Sequence, residues 1–342
     1  MNHTTCSVAC AALAAGALLP AARAGEPLPN PSRLSFAARA AFHVRATFRS
    51  SLPAPTTQPG PPAGGGVLRA YDNGFVGVDS RNNADGQTWF WGYIDATQVN
   101  AEADTITFDA RASTAPATSG ERTEDAIFGG ELTYTRTLFE WGRAFWGLEV
   151  GANYTPVSIE DQGPLRGSAQ IIRDTFALGG ATLPPPPYIG IYSGPGPLIG
   201  DAPTRTTVAT ETVYAGRREI EATTFGFRLG PVLDIPMGEP VSLQLSGGAY
   251  LMYSDTEFKY AETATVSGQP GQALRGKVDA QDWTWGAYVR GQVLVSLSER
   301  LGIFAGAEYL MLDEVELGTG THAAKLDFGE SFAGFLGVAV NF

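Results

Sequence analysis

The sequence predicts an all-β fold: a closed antiparallel transmembrane β-barrel, with eight strands expected and ten or twelve as alternatives. Three observations lead to this prediction. Polar and apolar residues alternate with a period of two in eight separate segments. Short turns and long loops rich in Gly and Pro alternate between those segments. Beyond the first 24 residues, no run is as long and apolar as a membrane-spanning helix, so a membrane protein of this sequence would have to be a barrel.

Residues 1–24 are predicted to be a secretory signal peptide. The apolar run Val8–Leu19 is followed by a small-x-small cleavage sequence. Both cysteines, Cys6 and Cys10, lie in this leader, so the mature chain is expected to lack disulfides, thiolate nucleophiles and Cys-bound metals. The predicted mature part, residues 25–342, is a single barrel domain.

The composition excludes two broad classes of protein. The chain has 23 Lys and Arg against 35 Asp and Glu, a net charge of -12, and so lacks the basic field that a nucleic-acid partner requires. Its 44% of hydrophobic residues is too high for a disordered chain.

The alternation is clearest at the start of the predicted barrel, in Leu34–Arg49. Its even positions are apolar from Leu34 to Phe48, and its odd positions include Ser35, Arg39 and Arg45. A strand with one apolar and one polar face has this period, and a helix does not. The same pattern recurs in 123–138, 144–158, 221–235, 241–255, 281–297, 301–313 and 326–342.

The connections between the predicted strands differ in length at the two ends of the barrel. Tight turns are predicted at 139–143, 236–240 and 298–300. Long external loops are predicted at 50–122, 159–220, 256–280 and 314–325. This is the layout of a membrane barrel with short periplasmic turns. The segment Tyr71–Asp95 is interpreted as a hairpin above the membrane, and an extra pair of barrel strands is the alternative.

The bulky apolar face is predicted to face lipid. The opposite face is mostly small, with a few long charged side chains, and suits the narrow lumen of an eight-stranded barrel. Aromatic residues are expected in two girdles at the membrane interfaces. The outer girdle is predicted to contain Phe48, Phe128, Tyr154, Phe225, Tyr253, Trp283, Trp285, Tyr309 and Phe328, and the inner girdle Phe36 and Phe342.

The last strand ends at Phe342, in phase with Val340 and Val338. An amphipathic final strand of this kind resembles the assembly signal of bacterial outer-membrane barrels. The layout over 34–49 and 123–342 resembles the small OmpA/OmpX-like, porin-like proteins. That resemblance implies location in the cell outer membrane, insertion by the barrel-assembly machinery, and contact with outer-membrane lipid and lipopolysaccharide. The oligomeric state is left open. Pro231, inside a predicted strand, departs from the pattern.

Charged side chains are expected in the lumen, where they must pair because an unpaired buried charge is strongly unfavourable. A structural ion-pair network is the first interpretation, and a gate around a thin water path is the alternative. The predicted network consists of Arg39, Arg45, Glu131, Glu149, Arg228, Arg290 and Glu308, with His43 and Asp234 on the same face.

No catalytic, metal or cofactor site is predicted. A serine hydrolase needs a base within reach of its nucleophile; His43 is expected to point inward, and His322 lies in a predicted loop beside Thr321 and near Asp327. An acidic stretch could attract a hard cation, but its spacing does not match the EF-hand loop. This stretch contains Asp72, Asp79, Asn83 and Asp85.

The expected function is therefore non-enzymatic, a structural or surface-binding role carried by the external loops. A narrow passive channel for ions or small solutes is the alternative.

Overall fold

Eight antiparallel strands close into a ring in the computed structural model, which describes residues 32–55, 66–78, 83–84, 86–190 and 195–342. Each strand of the ring pairs with the next along the chain, and the last pairs with the first. The ring strands are β1 (Ser32–Phe42), β2 (Ile127–Trp141), β3 (Ala144–Asp161), β4 (Thr204–Gly238), β5 (Val241–Val266), β6 (Gln272–Ser296), β7 (Leu301–Leu312) and β8 (Ser331–Asn341). The predicted eight-stranded barrel is confirmed, whereas the predicted leader lies outside the described residues.

Three ring strands are far longer than a membrane requires. β4 has 35 residues, β5 has 26 and β6 has 25, while about 9–11 tilted residues cross a bilayer. At roughly 3.3 Å per residue, β4 measures on the order of 115 Å along the strand. The barrel therefore continues well beyond the membrane on the side opposite the short turns.

The predicted external loops contain much of this extension. Strand Leu165–Ala177 pairs with the first part of β4 and with Thr105–Ala115, and Arg45–Ser50 pairs with His322–Asp327. The prediction of long loops at 50–122 and 159–220 was therefore too simple. The other elements outside the ring are Val67–Tyr71, Gly74–Val78, Asn83–Ala84, Gln87–Thr88, Trp91–Tyr93, Val99–Asn100, Ala117–Thr118, Arg122–Thr123, Ile199–Gly200, Val315–Gly318 and the 3-10 helix Ala96–Gln98.

The segment Tyr71–Asp95 is not part of the ring. Val67–Tyr71, Gly74–Val78 and Trp91–Tyr93 form a separate three-stranded sheet. This sheet packs above the barrel through a cluster of buried side chains, among them Tyr71, Trp91, Phe108 and Phe176. The extension is thus a packed β-structure with its own apolar cores.

The exterior of the barrel wall changes from apolar to charged at the outer edge of the membrane. On β5, the outward odd positions are apolar up to Tyr253, and the next three, Asp255, Glu257 and Lys259, are charged. The inward even positions above this boundary are mixed, with Phe258 buried beside polar residues such as Thr256. An apolar exterior suits lipid and a polar one suits water, so this change in the exterior marks the outer edge of the membrane.

An aromatic row lies at that edge. Tyr154 pairs with Phe225 across β3 and β4, and Phe225 pairs with Tyr253 across β4 and β5. Tyr253 in turn pairs with Trp283 of β6. Four neighbouring strands thus place an aromatic ring at one height, as expected for a membrane–water interface.

The first predicted strand is interrupted where it leaves the membrane. Strand β1 ends at Phe42, and the next residue, His43, has a φ of 61°, a left-handed conformation. Beyond this kink, Ala46 and Phe48 point into the upper barrel and are fully buried. The outward orientation predicted for Phe48 was therefore wrong, as it was for Phe328, which is 5% exposed.

Pro231 lies inside the barrel wall without an edge. It pairs in register with Leu148 of β3. The β4–β5 ladder passes from Leu229 opposite Ala249 to Val232 opposite Ser246, with no pairing between. Pro231 has no N–H to donate, and its nitrogen lies where the hydrogen-bond ladder between β4 and β5 is interrupted.

Among the described residues, no helix has the length and apolar character needed to cross a membrane.

Candidate functional site

Six of the seven predicted lumen residues converge at one level of the barrel. They come from six different strands, and each is at most 7% exposed. Their side chains point inward because they occupy the polar phase of the alternation. The group, called the lumen network below, consists of Arg39, Glu131, Glu149, Arg228, Arg290 and Glu308.

Arg228 lies at the centre of the lumen network. Its Nε atom lies 2.9 Å from Glu149 Oε1, and its Nη1 atom lies 3.0 Å from Glu131 Oε2 and 3.3 Å from Glu308 Oε2. Arg290 Nη2 is 2.7 Å from Glu131 Oε1, and Arg39 Nη1 is 2.6 Å from Glu308 Oε1. Three guanidinium groups thus neutralise three carboxylates.

Apolar side chains pack against the lumen network on both sides, although a polar chain also runs from Arg290 through Gln292 and Gln244 toward the inner end. Toward the inner end, the Arg290 guanidinium lies 3.5 Å from the centre of the Phe335 ring, which packs against Phe304. Toward the outer end, Met252 and Phe258 belong to the buried core of the upper barrel. A cavity of about 20 Å³ lies between the network and that core, and this is space for about one water molecule.

Arg45 does not belong to the lumen network. The kink at His43 carries it into strand Arg45–Ser50, where it lies 3.4 Å from Asp327 and 3.5 Å from Glu121. His43 itself is exposed, with its ring 5.0 Å from that of Phe332. Both residues were predicted to line the lumen, and the prediction failed because it assumed one unbroken strand.

The other predicted residues are found near the inner end of the barrel. Asp234 pairs with Arg33 at 3.4 Å. Val338, Val340 and Phe342 are 46%, 40% and 62% exposed on the lipid-facing side of the last strand. Their assignment as an assembly signal stays a prediction.

A second buried ion cluster, absent from the sequence analysis, lies above the membrane. Arg218 is fully buried, with Nη1 2.5 Å from Glu262 Oε2 and Nη2 3.1 Å from Asp161 Oδ2. His322 Nε2 lies 2.8 Å from Glu262 Oε1, and its ring stacks on that of Tyr260 at 3.9 Å. His322 was predicted to lie in a loop. The structure instead buries it in strand His322–Asp327, where it links that strand to β5.

Acidification is expected to weaken this upper cluster through Glu262. Burial alone would raise the pKa of Glu262, but the hydrogen bond from His322 and the charge of Arg218 outweigh burial and lower it. A lowered pKa contributes stability that is present above the ordinary value and lost as pH falls through the lowered one. Unfolding measured between pH 7 and pH 3 should therefore show a steeper acid loss for wild type than for Glu262→Gln. Equal slopes would contradict the assignment.

Two adjoining clefts open at the outer tip of the barrel, between residues 51–55, strand Thr105–Ala115 and the hairpin between β5 and β6. Their volumes are about 400 Å³ and 410 Å³, and they meet at Ala54, Pro55 and Arg111. Together they are called the tip cleft. Residues lining its first part include Tyr71, Asp72, Asn73, Arg111, Gln269 and Gln272.

The tip cleft is built on fixed polar contacts. Arg111 Nε is 2.9 Å from Asp72 Oδ2, and Arg111 Nη1 donates to the Pro270 carbonyl at 3.2 Å. Asn73 Oδ1 accepts from the Asp109 backbone N–H at 2.9 Å. These bonds connect the separate three-stranded sheet, strand Thr105–Ala115 and the β5–β6 hairpin. They hold the walls of the cleft together.

The acidic stretch considered for a cation is only partly described. Asp72 is engaged by Arg111, Asp79 and Asp85 lie outside the described residues, and of Asn83 only the backbone is described. In the part of the chain that the structure describes, no three His, Cys, Asp or Glu side chains are grouped as metal ligands would be.

Comparisons with known proteins give similarity to outer-membrane barrels. No family model matches the chain, and no curated protein matches it. Among solved structures, the outer membrane protease OmpT of Escherichia coli aligns over 93% of this chain and 99% of its own, with 8% identity and a TM-score of 0.32. Ail, the attachment invasion locus protein of Yersinia pestis, aligns over 91% and 99%, with 12% identity and a TM-score of 0.23.

A Pseudomonas aeruginosa FadL homologue aligns over 92% of this chain and 90% of its own, with 9% identity and a TM-score of 0.18. Similarities this low carry no argument about a site or an activity. One prediction from the sequence, that this protein is not an enzyme, is nevertheless contradicted. A protease is among the barrels that the chain resembles, so the architecture gives no ground for excluding catalysis. The ring, its exposed apolar band and its aromatic row make this chain an integral membrane barrel of the outer-membrane type.

Proposed function

We propose that the protein is a surface-binding barrel of the cell outer membrane that captures its ligand in the tip cleft. The observation that carries the proposal is the cleft itself, two adjoining cavities of about 400 Å³ in the extension above the membrane. Cavities of this size are typical of sites for small ligands.

The length of the extension supports this role. A barrel that only sealed a membrane would need no strand of 35 residues, yet β4 continues from the lipid band to the level of the cleft. The extension also has a buried core of its own. It therefore holds the cleft at a fixed height above the outer leaflet, clear of the lipid headgroups.

Outer-membrane location is part of the proposal. The exposed band is flanked by aromatic residues at its outer edge and by Trp141 and Phe342 near its inner end. Such a barrel needs insertion by the barrel-assembly machinery, and its outer band would contact outer-membrane lipid and lipopolysaccharide. The extended β4–β6 wall then faces the exterior of the cell.

We propose a structural role for the lumen network. Its six charges neutralise each other, and buried apolar side chains pack close to it on both sides. A gate would need these pairs to exchange partners within a densely packed lumen, at a high cost in buried charge. The packing favours a plug that fixes the strands over the passive channel considered as the alternative.

Filling the tip cleft should abolish ligand capture. Gln272 lines the cleft, so Gln272→Trp would occupy it with a large ring. The matched control is Gln281→Trp, at an exposed position on the same strand outside the cleft. Cells displaying each protein would be tested on arrayed oligosaccharides and immobilised extracellular-matrix proteins.

Wild type and Gln281→Trp are expected to bind the same array members, and Gln272→Trp to lose them. Binding by Gln272→Trp at the wild-type level, or absence of binding by wild type across the arrays, would overturn the proposal.

A further inference from the structure

The lipid-facing wall of the barrel contains an apolar groove just below the aromatic row. Its volume is about 250 Å³. Its floor is formed by Gly130 of β2 and Ala152 of β3, and its walls by Leu132, Tyr154, Phe225 and Phe227. It is called the Gly130 groove below.

The groove exists because two small residues lie side by side among large ones. Gly130 pairs with Tyr154, and Leu132 pairs with Ala152, so each small residue has a bulky neighbour across the strand pair. Phe225 and Phe227 of β4 close the far side. Glu131 and Asn153 also border the groove, but their side chains are buried on the lumen side and leave only backbone here.

The surroundings of the groove are those of the lipid contact. Leu132, Tyr154, Phe225 and Phe227 are between 41% and 45% exposed, and all belong to the apolar exterior band. Tyr154 and Phe225 form part of the aromatic row that marks the outer edge of the membrane. The groove therefore opens into the outer leaflet, at the depth of the first part of the acyl chains.

We infer that the Gly130 groove binds one acyl chain of an outer-leaflet lipid. The groove is continuous with the lipid-facing band, and an unbranched chain is the component of that leaflet narrow enough to enter it. Packing in the membrane gains no hydrophobic free energy over bulk lipid, so retention depends on van der Waals contact along the groove. Aromatic walls on one side and the Leu132 side chain on the other supply that contact. The inference rests on the lipid-facing orientation and is independent of the tip cleft.

The groove can be filled without disturbing the barrel. A Cβ atom built on Gly130 would meet no other atom within 4 Å, so Gly130→Phe is expected to fold. The matched control is Gly291→Phe on β6, also in the lipid-facing phase, where a Cβ would meet only Leu245 at 3.6 Å. The two variants add the same ring to opposite parts of the same band.

Native mass spectrometry measures retention directly. Wild type, Gly130→Phe and Gly291→Phe would be reconstituted in bilayers of one phosphatidylethanolamine with palmitoyl and oleoyl chains, then released at rising collision energy. A gel-mobility shift between unboiled and boiled samples confirms folding of each variant, separately from any ligand capture at the tip.

Wild type and Gly291→Phe should keep one lipid per barrel at energies that strip Gly130→Phe completely. Equal retention by all three proteins, or no retained lipid in wild type, would overturn the inference. A wild-type dimer that Gly130→Phe abolishes would also overturn it, because the groove would then be a contact between two barrels.

Discussion

Arg228→Met should lower the free energy of unfolding by about 3–5 kcal/mol, the usual cost of removing one partner from a buried ion pair. Arg228 contacts Glu131, Glu149 and Glu308 within 3.3 Å. Methionine fills similar space but leaves three buried carboxylates facing two guanidinium groups. Urea unfolding in lipid bilayers, followed by the gel-mobility shift of the folded barrel, measures the loss.

Arg33→Met is the matched control for Arg228→Met. Arg33 pairs with Asp234 near the inner end of the barrel, where the two side chains are 18% and 17% exposed. This pair is closer to solvent than the lumen network and involves one carboxylate, so its loss should cost less than the loss of Arg228. If both variants were equally stable, the lumen network would not hold the barrel together.

The second large effect is expected from Phe258→Ala in the upper barrel. Phe258 is fully buried above the membrane. Its ring stacks against that of Phe48 at 6.0 Å and lies tilted against that of Tyr260 at 5.6 Å. Removing a buried phenylalanine ring costs about 3–5 kcal/mol. The lost stability should be that of the extension, so limited proteolysis should cut the extension faster than in wild type. The membrane-embedded ring should stay folded in unboiled detergent samples.

Phe128→Ala provides the comparison for Phe258→Ala. Phe128 is 73% exposed on the lipid-facing side, so its truncation removes few protein contacts. Its protease sensitivity should stay close to wild type. A variant of Phe258 that was cut no faster than this control would show that the upper core is not a folded unit.

The sequence was sufficient for the membrane-embedded ring because the bilayer imposes a simple rule there. In 241–255 and 281–297, apolar residues face out and polar residues face in. The observed strand β5 contains the first segment, and β6 contains all of the second but its last residue. Above the membrane the period of two continues, but the outward positions are now charged. Asp255, Glu257 and Lys259 alternate with buried Thr256 and Phe258, and this polar exterior was interpreted as a loop.

The two ion clusters differ in how far the sequence could predict them. The lumen network follows from the phase of charged residues within recognisable strands, and the prediction failed only at His43 and Arg45, where the kink ends the first strand. The upper cluster joins Asp161, Arg218, Glu262 and His322. All four positions were assigned to loops, so no strand phase related them, and only the extended barrel brings them together.

Single cysteines along β5 offer the most direct test of the change from an apolar to a charged exterior, on which the assignment as a membrane barrel depends. The chain's own cysteines are at positions 6 and 10, inside the predicted leader, so each introduced thiol can be labelled alone. Cysteines at Leu245, Leu251 and Tyr253 should react with a lipid-soluble maleimide and resist a water-soluble one. Cysteines at Asp255 and Glu257 should show the reverse preference. Equal reaction of all five positions with the water-soluble reagent would contradict a membrane boundary between Tyr253 and Asp255, and with it the membrane barrel.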